Sequence, residues 1–344
     1  MGRTALVTGA SGFMAHHLIP VLLEDGWEVR ATARRPRPDW LPAEVSYRPV
    51  DLAGDEPLDE LCAAGTDAVF HLAGATSSLS STEEMHRSNV VGTSRIAAAA
   101  REAGTGRFVH VGSTSIYGEE VPLPQPVVET VEPHPSRGYG KAKWGAEEAL
   151  WAEVARGLPA VVLRPVSMFG PGAFKLLASA VLDIAIEQSA GESTFPVETN
   201  PVELRLVHVA DVVGAAVHLA SAPDAAGRAY NVVAPWYPSA LELAAILTQQ
   251  FGIPLEACGG SPRCGLALDQ RRATWESMVA AGMQPAILFT EERLRFLKKE
   301  NRNNRLSVEA LLGSGYQFAY GDEPDLVTGI ADTIAWYRDR RWIL

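Results

Sequence analysis

A doubly wound α/β fold is what the sequence predicts, and three observations predict it. Strand-length apolar runs alternate with segments of helical period through the first half of the chain. A glycine-containing turn joins the first run to the first helical segment. With 344 residues, 47% of them hydrophobic, the chain can bury the core of one large or two joined domains.

Strands are expected at residues 5–8, 29–33, 45–50, 68–71, 108–111 and 160–163, with helical segments such as 18–24, 89–103 and 139–154 between them. Repeated β-α alternation of this kind implies a parallel sheet covered by helices on both faces. After residue 170 the regularity fades, although 206–209 and 229–233 still read as strands returning to the main sheet. Residues 173–188 read as a helix, and the breaks Pro235-Trp-Tyr-Pro238 and Gly259-Gly260-Ser-Pro262 separate later helical stretches. The expected organisation is a sheet domain of residues 1–172 and 206–235, with a smaller, mostly helical substrate-binding lobe of 173–205 and 236–344 over the end of the sheet.

The formal charge of -11 opposes nucleic-acid binding, which needs clustered Lys and Arg. Lys298-Lys299 with Arg302 and Arg305 reads as a solvated helix face. The opening run Thr4-Ala-Leu-Val-Thr8 lacks the features of a signal peptide, and no apolar run approaches the ~20 residues of a membrane span, so a cytoplasmic protein is expected. Cys62, Cys258 and Cys264 match no metal or disulfide framework, which fits a reducing compartment. His71, His208 and His218 are too scattered for a metal site, and none is expected.

Thr8-Gly9-Ala-Ser11-Gly12-Phe13-Met14-Ala15 follows the first strand and opens the first helix. That context gives a glycine turn a use: Gly9 permits the tight turn, Gly12 lets backbone N–H groups approach a pyrophosphate, and the helix N-terminus attracts the anion. Gly9, Ser11, Gly12, Phe13 and Met14 are the expected contacts. A free ribose 2′-hydroxyl is usually held by an acid at the end of the second strand, but Val29-Arg-Ala-Thr-Ala-Arg34-Arg35-Pro36 has none. Arg34 and Arg35 suit a 2′-phosphate, so NADP(H) is expected in preference to NAD(H).

Tyr139 and Lys143 stand four residues apart, on one helix face. A neighbouring ammonium favours phenolate, and so is expected to lower the Tyr139 pKa and make it a usable acid or base. Phe108-Val-His-Val-Gly-Ser113-Thr-Ser-Ile-Tyr117-Gly118 precedes this pair at the end of the fifth strand. Here the sequence resembles the extended short-chain dehydrogenase/reductases, also called the NAD-dependent epimerase/dehydratase family. Its marks are Thr8-Gly9-x-x-Gly12, Asp51-Leu52, His71-Leu-Ala-Gly74, Asn89, Ser113 with Tyr117-Gly118, Tyr139 to Lys143, Leu163-Arg-Pro165 and Val207-His-Val-x-Asp211, which cover the first 235 residues well and the rest loosely.

The resemblance implies a Rossmann-type domain in which Ser113 hydrogen-bonds the substrate oxygen, with Thr114 and Ser115 as fallback hydroxyls. It makes Tyr139 the acid/base, and Lys143 the group that binds nicotinamide ribose and tunes the tyrosine. It places Asp51 and Leu52 at adenine, Leu72 and Ala73 in the cofactor groove, and Pro165 and Val166 near the nicotinamide. Residues 26–36 look most like those of NADP-dependent ketone reductases of the dihydroflavonol reductase type. Nucleotide-sugar epimerases often carry an Arg where this chain has Leu204, with Arg205 one place later. Together with apolar Met168, Phe169, Phe174, Leu176 and Leu177, this points towards an apolar ketone.

An NADP(H)-dependent reductase of a small carbonyl, or dehydrogenase of a secondary alcohol, is therefore expected. A nucleotide-sugar epimerase or 4-ketoreductase is the enzymatic alternative, and a dinucleotide-sensing regulator the non-catalytic one. The resemblance further implies a homodimer, formed through helices 89–103 and 139–154.

Overall fold

A computed structural model describes residues 2–75, 80–118, 122–136, 138–198, 203–258, 265–287, 289 and 305–344. In chain order the elements are β1 (Thr4–Thr8), α1 (Phe13–Glu24), β2 (Glu28–Ala33), β3 (Ser46–Pro49), β4 (Ala68–His71), α2 (Thr82–Met85), a π-helical turn (His86–Val91) and α3 (Gly92–Glu102). Next come β5 (Arg107–Val111), a 3₁₀ turn (Thr114–Tyr117), α4 (Gly138–Val154), β6 (Ala160–Pro165), β7 (Ser167–Phe169), α5 (Leu177–Ser189), β8 (Phe195–Glu198) and β9 (Leu206–His208). The remainder is α6 (Val209–Ser221), β10 (Arg228–Val232), α7 (Ala240–Gln249), β11 (Leu255–Cys258), α8 (Leu268–Ala280), α9 (Glu309–Gly313) and α10 (Glu323–Asp339).

Two compact units result, the first comprising Met1–Val166, Val209–Val233 and Asn304–Gln317, the second Ser167–His208, Ala234–Asn303 and Phe318–Leu344. In the first, a 7-stranded sheet runs β10-β6-β5-β4-β1-β2-β3, and every pairing is parallel. Parallel strands sit between two helical layers, so both faces must be apolar, and Ala68–His71 and Ala160–Pro165 are buried at every position. On one face Leu6, Val69, Phe108 and Val162 pack with Ile96 of α3 and Leu150 of α4. Complete burial of a side chain such as Phe108 contributes about 1.5–3 kcal/mol.

Strand order reverses between β1 and β4, whose register pairs Thr8 with His71. At such a switch point the connections leave in opposite directions and open a crevice at the carboxyl ends of the strands, which is where α/β sheets bind ligands. The loops following β1, β4, β5 and β6 all begin at that edge.

Several boundaries differ from the expectation. The helix expected at 89–103 begins as a π turn, because Asn89 Nδ2 donates to the carbonyl of Met85 four residues back at 2.9 Å, the acceptor an α-helical N–H would use. The strand expected to return to the main sheet at 206–209 is β9, which pairs with β7 in a separate 2-stranded sheet. Residues 305–317, assigned by sequence to the second lobe, cluster with the sheet, where Val127 N–H donates to the Arg305 carbonyl at 2.8 Å. Cys258 is disulfide-bonded, against the expectation of unpaired cysteines, and Cys62 is free and buried. Cys264, Lys298, Lys299 and Arg302 lie outside the described residues.

The second unit has its own core. All residues of α5 from Leu177 to Glu187 are buried, and they pack with Leu243 and Leu247 of α7 and Ile330, Ile334 and Tyr337 of α10. Its buried carboxylates, Asp183 and Glu187, are ion-paired with Arg271 of α8. No helix among the described residues is long and apolar enough to cross a membrane.

Candidate active site

The turn after β1 leaves room for an anion. Gly9 has φ of 71°, and a Cβ there would lie 2.7 Å from the Ala73 nitrogen, so the β1 and β4 loops approach too closely for any side chain. Gly12 N–H donates to the Gly9 carbonyl at 2.9 Å. It then caps α1 without a side-chain acceptor, so the first N–H groups of the helix are left for a ligand. Ser11 is exposed, Phe13 half-buried and Met14 buried. This cradle fits a pyrophosphate. Gly9→Ala is expected to weaken dinucleotide binding at least about tenfold, the equivalent of about 1.4 kcal/mol, in a fluorescence titration. Gly104→Ala, at a φ of 69° with open space around it, is the control that should leave binding intact; equal losses in both would assign the effect to general strain.

Beyond β2, Arg34 and Arg35 are exposed. Arg34 faces Glu84 at 3.8 Å, a solvent-screened pair of little energetic weight. The loop that carries them is held by its own residues: Arg37 donates to the Val45 and Pro42 carbonyls at 2.9 and 2.6 Å, and the Tyr47 hydroxyl donates to the Arg35 carbonyl. Asp51, expected at adenine, accepts from Arg87 Nη2 at 2.6 Å. Sequence reasoning missed Arg87, since nothing in the spacing of residues 51 and 87 announces their contact.

At the end of β5, Ser113 caps the 3₁₀ turn, its Oγ accepting from the Ser115 N–H at 3.2 Å. Its hydroxyl lies close enough to the phenol of Tyr139 to favour the phenolate. The fallback hydroxyls are placed otherwise. Thr114 donates to the Pro165 carbonyl at 3.4 Å, while Ser115 Oγ is buried without a partner among the described residues. One turn after Tyr139 on α4, Lys143 is 4% exposed and its Nζ donates to the Val111 carbonyl at 2.9 Å.

The electrostatics correct one expectation. Burial raises the Tyr139 pKa above the ordinary phenol value, and the neighbouring Ser113 hydroxyl only partly opposes this. Lys143 does not supply the expected lowering; its ammonium is directed at Val111. Burial pulls Lys143 itself down to about 8, with the Glu147 carboxylate opposing. His71 is held down to about 3 by burial and then by the Lys143 charge, and His110 well below its usual value for the same reasons and the nearness of His71. The two imidazoles are therefore neutral. They stack at 5.3 Å, with His71 hydrogen-bonded to Thr8 at 2.7 Å and Thr93 at 2.9 Å.

Asn89, which the sequence marked without assigning a role, is also placed here. Its Oδ1 is buried without a partner among the described residues. A Cβ on Gly74 would lie 2.4 Å from that oxygen and 3.7 Å from Lys143 Nζ. π turns of this sort are frequent at functional sites.

Leu52 is buried, and the backbones of Leu72 and Ala73 border the Gly9 turn. Pro165 ends β6, and the Val166 N–H donates to the Val232 carbonyl at 3.2 Å. The apolar pocket candidates divide: Phe169 and Leu177 are 0% exposed within the core of the second unit, so they pack rather than wait for substrate, whereas Phe174 is exposed. Leu204 belongs to the same core. The His208 ring packs, tilted, against Tyr320 with centroids 4.0 Å apart, and His218 bonds Ser314.

A family model described as the NAD dependent epimerase/dehydratase family matches residues 5–233. The chain is 35% identical over 169 residues to the 4-hydroxy-2-methyl-3-oxo-4-farnesyl-3,4-dihydroquinoline-1-oxide ketoreductase of Stigmatella aurantiaca; the match covers 48% of this chain and only 50% of that one. It is 30% identical over 280 residues to the GDP-6-deoxy-D-mannose reductase of Pseudomonas aeruginosa, covering 79% and 88% of the two chains. Among solved structures, MoeE5 in complex with UDP-glucose and NAD is similar at a TM-score of 0.69 and 26% identity, over 98% of this chain and 99% of that one.

Proposed function

The chain belongs to the NAD dependent epimerase/dehydratase family of nicotinamide-dinucleotide enzymes, and on that premise we propose that it is an NADP(H)-dependent reductase acting on a ketone of a small organic molecule. The observation that carries this reading is the closeness of the Ser113 hydroxyl, at the carboxyl end of β5, to the Tyr139 phenol, with the buried Lys143 one helical turn away.

When bound, the dinucleotide supplies hydride chemistry, and the chain supplies orientation and a proton. The turn from Gly9 to Met14 would hold its pyrophosphate, Leu72, Ala73, Pro165 and Val166 would border the rest, and Arg34 and Arg35 would take a 2′-phosphate. A phenol whose pKa is raised keeps its proton at neutral pH. That is the form in which Tyr139 can give a proton to a carbonyl oxygen, and it favours the reducing direction. Ser113, beside the phenol, would donate to the same oxygen as charge develops there. Lys143 would bind the nicotinamide ribose.

The cofactor preference rests on Arg34. Titration with NADPH and NADH is expected to show tighter NADPH binding in the native protein, with Arg34→Ala losing about 1.5–3 kcal/mol for NADPH, the worth of a charge-assisted hydrogen bond. NADH binding that is tighter and indifferent to the change would overturn it. A second reading, reduction or epimerisation of a nucleotide sugar, is favoured by the likeness to the GDP-6-deoxy-D-mannose reductase and to MoeE5. Net oxidation of NADPH by a ketone without a nucleotide supports the first reading; cofactor recycling on a nucleotide sugar supports the second.

A further inference from the structure

One guanidinium ties together the two elements that carry the candidate site. Arg164 of β6 and Glu147 of α4 are 4% and 0% exposed. Arg164 donates to the Glu147 carboxylate from Nε at 3.1 Å and from Nη2 at 2.8 Å, a two-pronged pair. Its Nη1 donates to the Tyr117 hydroxyl at 2.9 Å and to the Glu129 carbonyl at 2.8 Å. Tyr117 then donates to Asn231 Oδ1 at 2.8 Å, and the Asn231 N–H donates to the Glu129 carboxylate at 2.8 Å.

The position of this network is specific. Tyr117 closes the 3₁₀ turn that Ser113 caps. Glu147 lies one turn beyond Lys143 on the helix that also carries Tyr139. Gly112, immediately before Ser113, makes room for the carboxylate, since a Cβ there would lie 2.6 Å from Glu147 Oε1. A buried ion pair is generally no more stabilising than apolar residues of the same volume, so stability alone is a poor reason for one here.

The groups around Lys143 can be named. His71 of β4 and His110 of β5 face it as neutral rings, the Val111 carbonyl accepts its hydrogen bond, and the Asn89 carbonyl oxygen lies across Gly74. Glu147, on the same helix, is the negative charge acting on it, and Arg164 stands behind that carboxylate.

We propose that Glu147, clamped by Arg164, is a positioning residue of this site: its charge keeps a proton on Lys143 while the Arg164 fork fixes α4 against the Ser113 turn. The proposal rests on the reading of Tyr139 and Lys143 as the reacting pair. It gives the buried ion pair a task in the chemistry, because without a counter-charge the desolvated ammonium releases its proton at lower pH.

The test is an NMR titration of the full chain labelled with 13Cε-lysine, in which the five lysines give few signals and Lys143→Arg identifies the one of interest. In the native protein the Lys143 signal is expected to titrate near pH 8. Glu147→Gln keeps the shape and removes the charge, and should move that midpoint down by about one pH unit. Tyr117→Phe breaks the Arg164 link to the Ser113 turn without altering a charge, and should leave the midpoint in place. An unmoved midpoint in Glu147→Gln overturns the proposal, as does an equal shift in both variants, which would report loosened packing. If Glu147→Gln does not fold, Glu147→Asp carries the test: a midpoint within a few tenths of native supports the charge, and a drop of about one unit overturns it. No turnover is needed, so failure of the proposed reaction and failure of this inference are read separately.

Discussion

Tyr139→Phe is expected to lower turnover about 10²–10⁴-fold while leaving dinucleotide affinity within about twofold of native, because the substitution removes one proton donor and no cofactor contact of comparable strength. The phenol is half-buried, its pKa is raised, and the Ser113 hydroxyl is beside it. Steady-state kinetics beside a binding titration distinguish the outcomes. Loss of both activity and binding would make Tyr139 a structural residue of α4, and retained activity would remove it from the mechanism. The pH dependence of the native enzyme should follow Lys143. Its proton is lost as pH rises through about 8, so the rate of reduction is expected to fall on the alkaline side of that value.

The largest stability effect is expected at Arg164. Arg164→Met leaves the Glu147 carboxylate buried without its counter-charge and strips the donor from both the Tyr117 hydroxyl oxygen and the Glu129 carbonyl. Breaking a buried pair from one side typically costs about 3–5 kcal/mol. Urea unfolding followed through the sheet unit measures it, and the double variant Arg164→Met with Glu147→Leu should recover a large part of the loss. A single variant within about 1 kcal/mol of native would mean that Glu147 simply takes up a proton. Burial already raises the Glu147 pKa despite the guanidinium beside it, so protonation is the relaxation available to the carboxylate once Arg164 is gone.

The alternation of apolar strands and helices is written locally, and so is the glycine turn after β1. A parallel strand buried on both faces must be apolar along its length, and a phosphate-binding turn must lack side chains where backbones meet; both constraints act on consecutive residues. The same holds for Tyr139 and Lys143, whose spacing on one helix is a local fact.

Residue types and their spacing were therefore enough for the α/β alternation, the glycine turn after β1, and the hydroxyl and amine groups at the end of β5 and along α4. The three-dimensional arrangement was needed to show that β9 pairs with β7, that Ser113 rather than Thr114 or Ser115 lies by the Tyr139 phenol, and that Phe169 and Leu177 pack in a core. It also decided the sign of the Tyr139 shift, the contact of Arg87 with Asp51 and the pairing of Arg164 with Glu147. The physical reason is common to all of these. Desolvation and charge pairing depend on which groups the fold brings together across tens of residues of chain, and period and spacing carry no record of those distances.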